Sequence, residues 1–201
     1  MSQIYALSDD TLTPHDRIIP SLKELLSAGV KIFQYRCKQN KDEALARQML
    51  ALCSDAGSIF VVNDDVDFAF KIGAKAVHVG RDDFSLKYAK KVLGDDAFVG
   101  VSCYDSLELA KKAQDDGASY VAFGSMFASK TKPAAPICEL EILTKAKQTL
   151  DIPVCAIGGI DAKNIGLVAK SGVDYISVVS ALYTPNDIRS NVSNLNRALK
   201  I

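Results

Sequence analysis

Apolar and polar positions in this chain come in blocks. Short apolar runs recur, each closed by a polar cluster: Ile4-Tyr5-Ala6-Leu7, Ile59-Phe60-Val61-Val62, Ala76-Val77-His78-Val79, Ala97-Phe98-Val99-Gly100-Val101, Tyr120-Val121-Ala122-Phe123, Val154-Cys155-Ala156-Ile157 and Tyr175-Ile176-Ser177-Val178-Val179. Runs of this length, rich in β-branched and aromatic side chains, predict strands buried on both faces. Between them apolar residues fall at helical spacing, as in Ile18, Ile19, Leu22, Leu25 and Leu26, or Leu45, Met49 and Leu52. Thr13-Pro14 predicts the first helix start, and Pro20 marks either a kink or a later start. Asn40 with Glu43, and Asp105 with Glu108, have capping-box spacing. Asp161 predicts a cap for the seventh helix, and a terminal helix is expected over about 185–200.

One further block, Lys31-Ile32-Phe33-Gln34-Tyr35-Arg36-Cys37-Lys38, carries charge. Read as a strand, it puts Gln34, Arg36 and Lys38 on one face and Phe33, Tyr35 and Cys37 on the other. Two cations and an amide on a helix-covered strand require a counter-charge, because unpaired buried charge is costly. The block therefore predicts an anion site; a solvated edge strand would show the same alternation.

Eight such strands alternate with eight helical segments, which predicts an α/β fold with a parallel sheet. A flavodoxin-like or Rossmann sheet would use fewer strands. The count fits a single (β/α)8 TIM barrel over residues 1–201, near that fold's lower limit of about 200 residues. No linker, low-complexity stretch or duplicated segment interrupts it.

Composition narrows the function. The formal net charge is zero, which argues against nucleic acid as a partner, so any anion site must be local. No apolar run reaches membrane-spanning length, and the start of the chain lacks a basic region followed by an apolar one. The five cysteines are odd in number, lack metal-ligand spacing and sit mostly in apolar runs, as expected of a reducing, cytoplasmic compartment.

In such barrels chemistry sits at the C-terminal ends of the strands. That rule selects Gln34, Arg36 and Lys38, Asn63-Asp64, Asp83, Ser102, the loop Ser129-Lys130-Thr131-Lys132, Gly158-Gly159, and Val179-Ser180. Asp64 and Asp83 end consecutive strands, close enough to share one Mg²⁺, an ion that takes one or two carboxylates with phosphates and water. Either could instead cap the following helix, and Asp65 and Asp82 compete with them. Gly158-Gly159 and Val179-Ser180 occupy the place where many barrels bind phosphate through backbone N–H groups. Ser129, Thr131 and Lys132 add two hydroxyls and a cation, or form a loop of small residues. His78, inside a strand, suits a buried hydrogen-bonded role better than catalysis, while Tyr120 and Tyr175 read as packing.

The ordered set of motifs resembles the thiamine-phosphate synthase family over nearly the whole chain: Gln34-Tyr35-Arg36-Cys37-Lys38, Val62-Asn63-Asp64, His78-Val79-Gly80-Arg81-Asp82-Asp83, Val101-Ser102, Phe123-Gly124, Ser129-Lys130-Thr131-Lys132, Ala156-Ile157-Gly158-Gly159-Ile160 and Val178-Val179-Ser180-Ala181. The resemblance implies joining of hydroxymethylpyrimidine diphosphate to a thiazole phosphate, with release of diphosphate. It implies that Gln34, Tyr35, Arg36, Cys37, Lys38, Asn63, Ser102 and Lys132 hold the pyrimidine diphosphate. Asp64 and Asp83 would bind Mg²⁺, and Ser129, Thr131, Gly159, Val179 and Ser180 the thiazole phosphate, with Lys130 also touching substrate. Arg36, Lys38, Ser102 and Lys132 would be the catalytic groups.

Arg81 stands where the family has Gln, and Ser129 where it has Thr. The related thiazole tautomerase shares the pattern but lacks the Asp pair. A non-catalytic thiazole-phosphate-binding barrel would leave Arg36, Lys38 and the Asp pair unexplained. A Schiff-base aldolase would need a Lys isolated in an apolar pocket, whereas Lys38 lies two residues from Arg36.

Overall fold

Each apolar run becomes one strand. The computed structural model describes residues 2–39, 41–80, 86–129 and 136–200. Its strands are β1 (Gln3–Leu7), β2 (Ile32–Tyr35), β3 (Ile59–Asn63), β4 (Ala76–Val79), β5 (Phe98–Tyr104), β6 (Tyr120–Phe123), β7 (Val154–Ile157) and β8 (Tyr175–Val178). They pair in sequence order, all parallel, and β8 returns to β1, so the expected TIM barrel is formed. The register sets Ala6 beside Phe33 and Phe33 beside Phe60 on the outer face, and Leu7 beside Gln34 and Gln34 beside Val61 on the inner face.

The outer face packs under α1 (Ile18–Ser27), α2 (Glu43–Asp55), α3 (Val66–Ile72), α4 (Leu86–Leu93), α5 (Leu107–Asp115), α6 (Glu141–Thr149), α7 (Ile165–Ala169) and α9 (Ile188–Ala198). Leu22, Leu25, Met49, Leu143 and Ile165 are fully buried in that layer, each stabilising the fold by roughly 1.5–3 kcal/mol relative to exposure. A smaller cluster fills the barrel interior, with Tyr5, Leu7, Ile32, Val61, Ala76, Tyr120, Ala122 and Cys155. Gly100 is required there, because a Cβ would lie 2.0 Å from Cζ of Tyr120.

Several expected boundaries move, each for a local reason. β2 ends at Tyr35, because the Arg36 N–H donates to Ser8 Oγ (2.7 Å) and the Lys38 N–H to Asp10 Oδ2 (3.0 Å), tying residues 36–38 to the β1 loop. α1 starts at Ile18, because the Thr13 hydroxyl serves the loop instead, accepting from the Asp9 N–H and donating to the Asp9 carbonyl. Pro20 then falls in the first turn, where its missing N–H costs nothing. Asp42 caps α2, accepting from the Leu45 N–H, while Asn40 lies outside the described residues. Ser106, not Asp105, caps α5, and Asp161 heads a turn that delays α7 to Ile165. β5 runs on to Tyr104, so Ser102 lies within the strand, just before a register shift. The C-terminal segment divides into the short α8 (Ser180–Tyr183) and α9, making nine helices among the described residues instead of eight.

Candidate active site at the C-terminal mouth of the barrel

On the β1–β2 side of the mouth, Arg36 finds its counter-charge within the chain. Its guanidinium lies 3.6 Å from the Asp9 carboxylate, and both side chains are largely buried, at 14% and 15% exposure. Asp9 is a partner that strand alternation could not reveal, since it follows β1 in a segment that reads only as a strand breaker. Lys38 is exposed, and the alternation that would align it with Gln34 ends with β2. Tyr35 points outward and stacks near Phe60 and Phe68, at 6.3 and 6.5 Å between ring centres. Cys37 is partly buried against the same outer layer. The structure thus brings Gln34 and Arg36 toward the interior and mouth, and places Tyr35 in the sheet–helix layer.

At the end of β3 the two aspartates divide their roles. Asp65 caps α3, accepting from the Phe68 N–H (2.9 Å), and pairs with Lys41 (2.9 Å). Burial would raise the Asp65 pKa, but the Phe68 N–H and the Lys41 ammonium outweigh it and hold the carboxyl below its ordinary value. Asp64 is therefore not the helix cap. It is exposed, with a left-handed backbone (φ 65°), and its Oδ2 accepts from the Asn63 amide at 2.5 Å. Among the described residues, no group of three or more His, Cys, Asp or Glu gathers around a potential metal position. Asp83 lies outside the described residues, as do Arg81, Asp82, Lys130, Thr131 and Lys132.

Below the mouth a row of polar side chains crosses the barrel. Gln34 Nε2 donates to the Tyr5 hydroxyl (2.7 Å), which lies 2.8 Å from the Tyr120 hydroxyl. Tyr120 reaches His78 Nδ1 at 2.8 Å, and His78 Nε2 reaches Ser102 Oγ at 2.9 Å. His78 is thus the hydrogen-bonded strand histidine expected. Tyr120 packs against Phe98, Tyr175 and Tyr5, as read, but also carries a hydroxyl in this chain. Burial pushes the Tyr5 and Tyr120 hydroxyls above the ordinary phenol range, so both remain protonated. Ser102, half-buried, is where the row meets the mouth.

On the far side, the loops after β6 and β7 close on each other. The Met126 N–H donates to the Ile157 carbonyl (2.9 Å) and the Phe127 N–H to that of Gly158 (3.0 Å). A Cβ on Gly158 would meet Ser125 Oγ at 2.0 Å, and one on Gly159 the Ala128 carbonyl at 2.4 Å. The two glycines, at φ 105° and 62°, are thus demanded by this loop contact whatever else they do. Ser129 lies just beyond, half-buried. Val179 packs partly on the interior cluster, and Ser180 opens α8. All five cysteines are free, and burial pushes the Cys53, Cys103 and Cys155 thiols up to about 12, far from a reactive thiolate.

Cationic, carboxylate and hydroxyl side chains at the C-terminal mouth of a closed parallel barrel stand where barrel enzymes carry their chemistry, which places the protein in that class. The profile of the thiamine monophosphate synthase family matches residues 4–182, and the chain belongs to that family. It is 40% identical to the thiamine-phosphate synthase of Thioalkalivibrio sulfidiphilus over 195 residues, covering 96% of this chain and 92% of the relative. It is 42% identical to that of Thiobacillus denitrificans over 197 residues, covering 96% and 93%. The solved thiamine phosphate pyrophosphorylase of Pyrococcus furiosus superposes with a TM-score of 0.87 at 32% identity, covering 98% of this chain and 95% of that one. A 3-hexulose-6-phosphate synthase, at 19% identity and a TM-score of 0.74, shares the fold.

Proposed function

We propose that the mouth of this barrel joins hydroxymethylpyrimidine diphosphate to a thiazole phosphate, giving thiamine phosphate and diphosphate. The observation that carries this reading is family membership across residues 4–182. In the reaction, the bond between the pyrimidine methylene and the diphosphate oxygen breaks, and its electron pair leaves with the diphosphate. The thiazole nitrogen then donates its lone pair to the methylene. No protein nucleophile is needed, so the chain contributes positioning and charge stabilisation.

Arg36, Lys38, Ser102 and Lys132 are assigned to the diphosphate and its departure. Gln34, Asn63 and the rest of residues 34–38 are assigned to the pyrimidine diphosphate. Ser129, Lys130, Thr131, Gly159, Val179 and Ser180 are assigned to the thiazole phosphate. Asp64 is a hard oxygen donor at a strand end, relieved of capping by Asp65, which suits Mg²⁺. Asp64 and Asp83 would hold the ion, which when bound supplies charge neutralisation at the diphosphate. A diphosphate ester carries about three negative charges near neutral pH. Arg36, Lys38 and Lys132, with Mg²⁺ offsetting the two aspartates, match it. Because Asp9 tempers Arg36, Arg81 is assigned a share of that charge. The whole chain, residues 1–201, is read as one catalytic barrel, and its free cysteines suit a reducing cytoplasm.

The test is to incubate the pure protein with both substrates and Mg²⁺ and to detect thiamine phosphate. Its absence overturns the reading. Initial rates against Mg²⁺ concentration should show a raised metal requirement in Asp64→Asn and Asp83→Asn. If both variants keep the wild-type dependence, the metal belongs elsewhere.

A further inference from the structure

We infer that Tyr5, Tyr120 and His78 are positioning residues that fix the direction of hydrogen bonding at Ser102, so that its hydroxyl is presented to the substrate as a donor. The inference rests on the reading that Ser102 belongs to the substrate site. It begins with proton counting along the row that crosses the barrel. The Gln34 NH₂ group can only donate, and it does so to the Tyr5 oxygen at 2.7 Å. Tyr5 has one proton, and its other partner is the Tyr120 oxygen at 2.8 Å, so that proton goes to Tyr120. Tyr120 has then accepted, and its own proton goes to His78 Nδ1 at 2.8 Å. A neutral imidazole whose Nδ1 accepts carries its hydrogen on Nε2. Nε2 therefore donates to Ser102 Oγ at 2.9 Å. The serine oxygen is engaged as an acceptor from below, and its own hydrogen is left for the mouth.

Four successive bonds thus run in one direction over β2, β1, β6, β4 and β5. Burial keeps both phenols protonated, so neither oxygen becomes an anion that could accept from both sides. Bonds aligned this way polarise one another, which makes Ser102 a stronger donor than an isolated serine. The opposite direction has opposite chemistry. If the Gln34 amide presented its oxygen to Tyr5, every bond would reverse, Ser102 would give its proton to Nε2, and the pair would be a base-activated nucleophile. A donor suits a leaving diphosphate that gains negative charge, whereas the proposed reaction has no step for a serine nucleophile.

The decisive measurement is the tautomer of His78. The chain has two histidines, so a ¹⁵N-labelled His15→Gln variant leaves one imidazole to observe. Long-range ¹H–¹⁵N correlation at about pH 8, above the ordinary imidazole range, separates the Nε2–H form from the Nδ1–H form. The expected result is Nε2–H in this background and a mixture of tautomers once Tyr120→Phe removes the donor to Nδ1. An Nδ1–H ring, a doubly protonated ring, or a pattern unchanged by Tyr120→Phe overturns the inference. Kinetics give a second reading. Tyr120→Phe should lower kcat about threefold to tenfold, the effect of one neutral hydrogen bond, and leave the KM for thiazole phosphate unchanged. His78→Gln, which keeps an N–H donor near the Nε2 position, should retain more of kcat than His78→Phe; equal losses in the two count against the inference. If the wild type makes no thiamine phosphate, the functional reading fails, while the tautomer still tests the direction of the row.

Discussion

The two faces of the barrel sheet are built from the same strands and carry different chemistry. On the outer face Phe33, Phe60, Val77, Val121, Val154 and Ile176 are all buried under helices. On the inner face the same strands contribute Tyr5, Gln34, His78, Ser102, Tyr120 and Ser177, whose polar atoms must be matched across the barrel. Among the described residues, no buried side-chain nitrogen or oxygen lacks a partner. The outer face asks only for volume and apolarity, so it should govern stability. The inner face asks for direction and charge, so it should govern rate.

The largest effect should come from the outer face. Phe33 is 1% exposed and stacks on Phe60, and Phe33→Ala should cost about 3–5 kcal/mol of stability by urea denaturation. In the fraction that remains folded, KM for both substrates should be unchanged; a selective KM change would erase the division between the faces. If Lys132 has the role proposed for it, Lys132→Ala should lower the rate at saturating Mg²⁺ by about a hundredfold, as loss of other transition-state charge donors does. A smaller effect tests whether the inner face can be separated into packing and direction. Gly100→Ala should cost about 1–3 kcal/mol, because the new Cβ meets the Tyr120 ring, itself fully buried. Adding Tyr120→Leu should relieve the clash but leave the Tyr5 hydroxyl and His78 Nδ1 without their partner, so kcat should not recover, and recovery of kcat would show that the hydroxyl is dispensable.

The smallest effect lies in the outermost shell. The Leu45 N–H, and then the His15 ring, hold the Asp42 carboxyl below its ordinary value of 3.8. A carboxyl lowered in the folded state contributes stability that is present above its unfolded pKa and lost as the pH falls through the folded value. Asp42→Asn keeps a good helix cap, so urea midpoints should match wild type near neutrality and lose part of their decline below about pH 4. An unchanged acid limb would remove Asp42 from that account.

The barrel was legible because its signal is local: seven apolar runs and one charged block, each closed by a polar turn, became the eight strands. The end of β2 was not legible, because Ser8 and Asp10, far away in sequence, capture the backbone of residues 36–38. Helix caps were misplaced by one to a few positions where several capping residues stand close together, as with Asp105 and Ser106 or Asn40 and Asp42. The hydrogen-bonded state of His78 followed from its place inside a strand, but its partner Tyr120 could not be named, since the row joins residues as far apart as Tyr5 and Tyr120. Asp83, Lys130, Thr131 and Lys132 rest on motif order alone.

Barrel enzymes are often pictured as a fixed frame carrying interchangeable loops. The contact between Ser125, Phe127 and Ala128 on one side and Gly158 and Gly159 on the other contradicts that picture for this pair. Neither loop can be transplanted alone. A side chain at either glycine would strike the neighbouring loop, and a differently shaped donor loop after β6 would leave the Ile157 and Gly158 carbonyls without their N–H partners. For protein engineering the two loops are a single cassette, to be exchanged together or left in place.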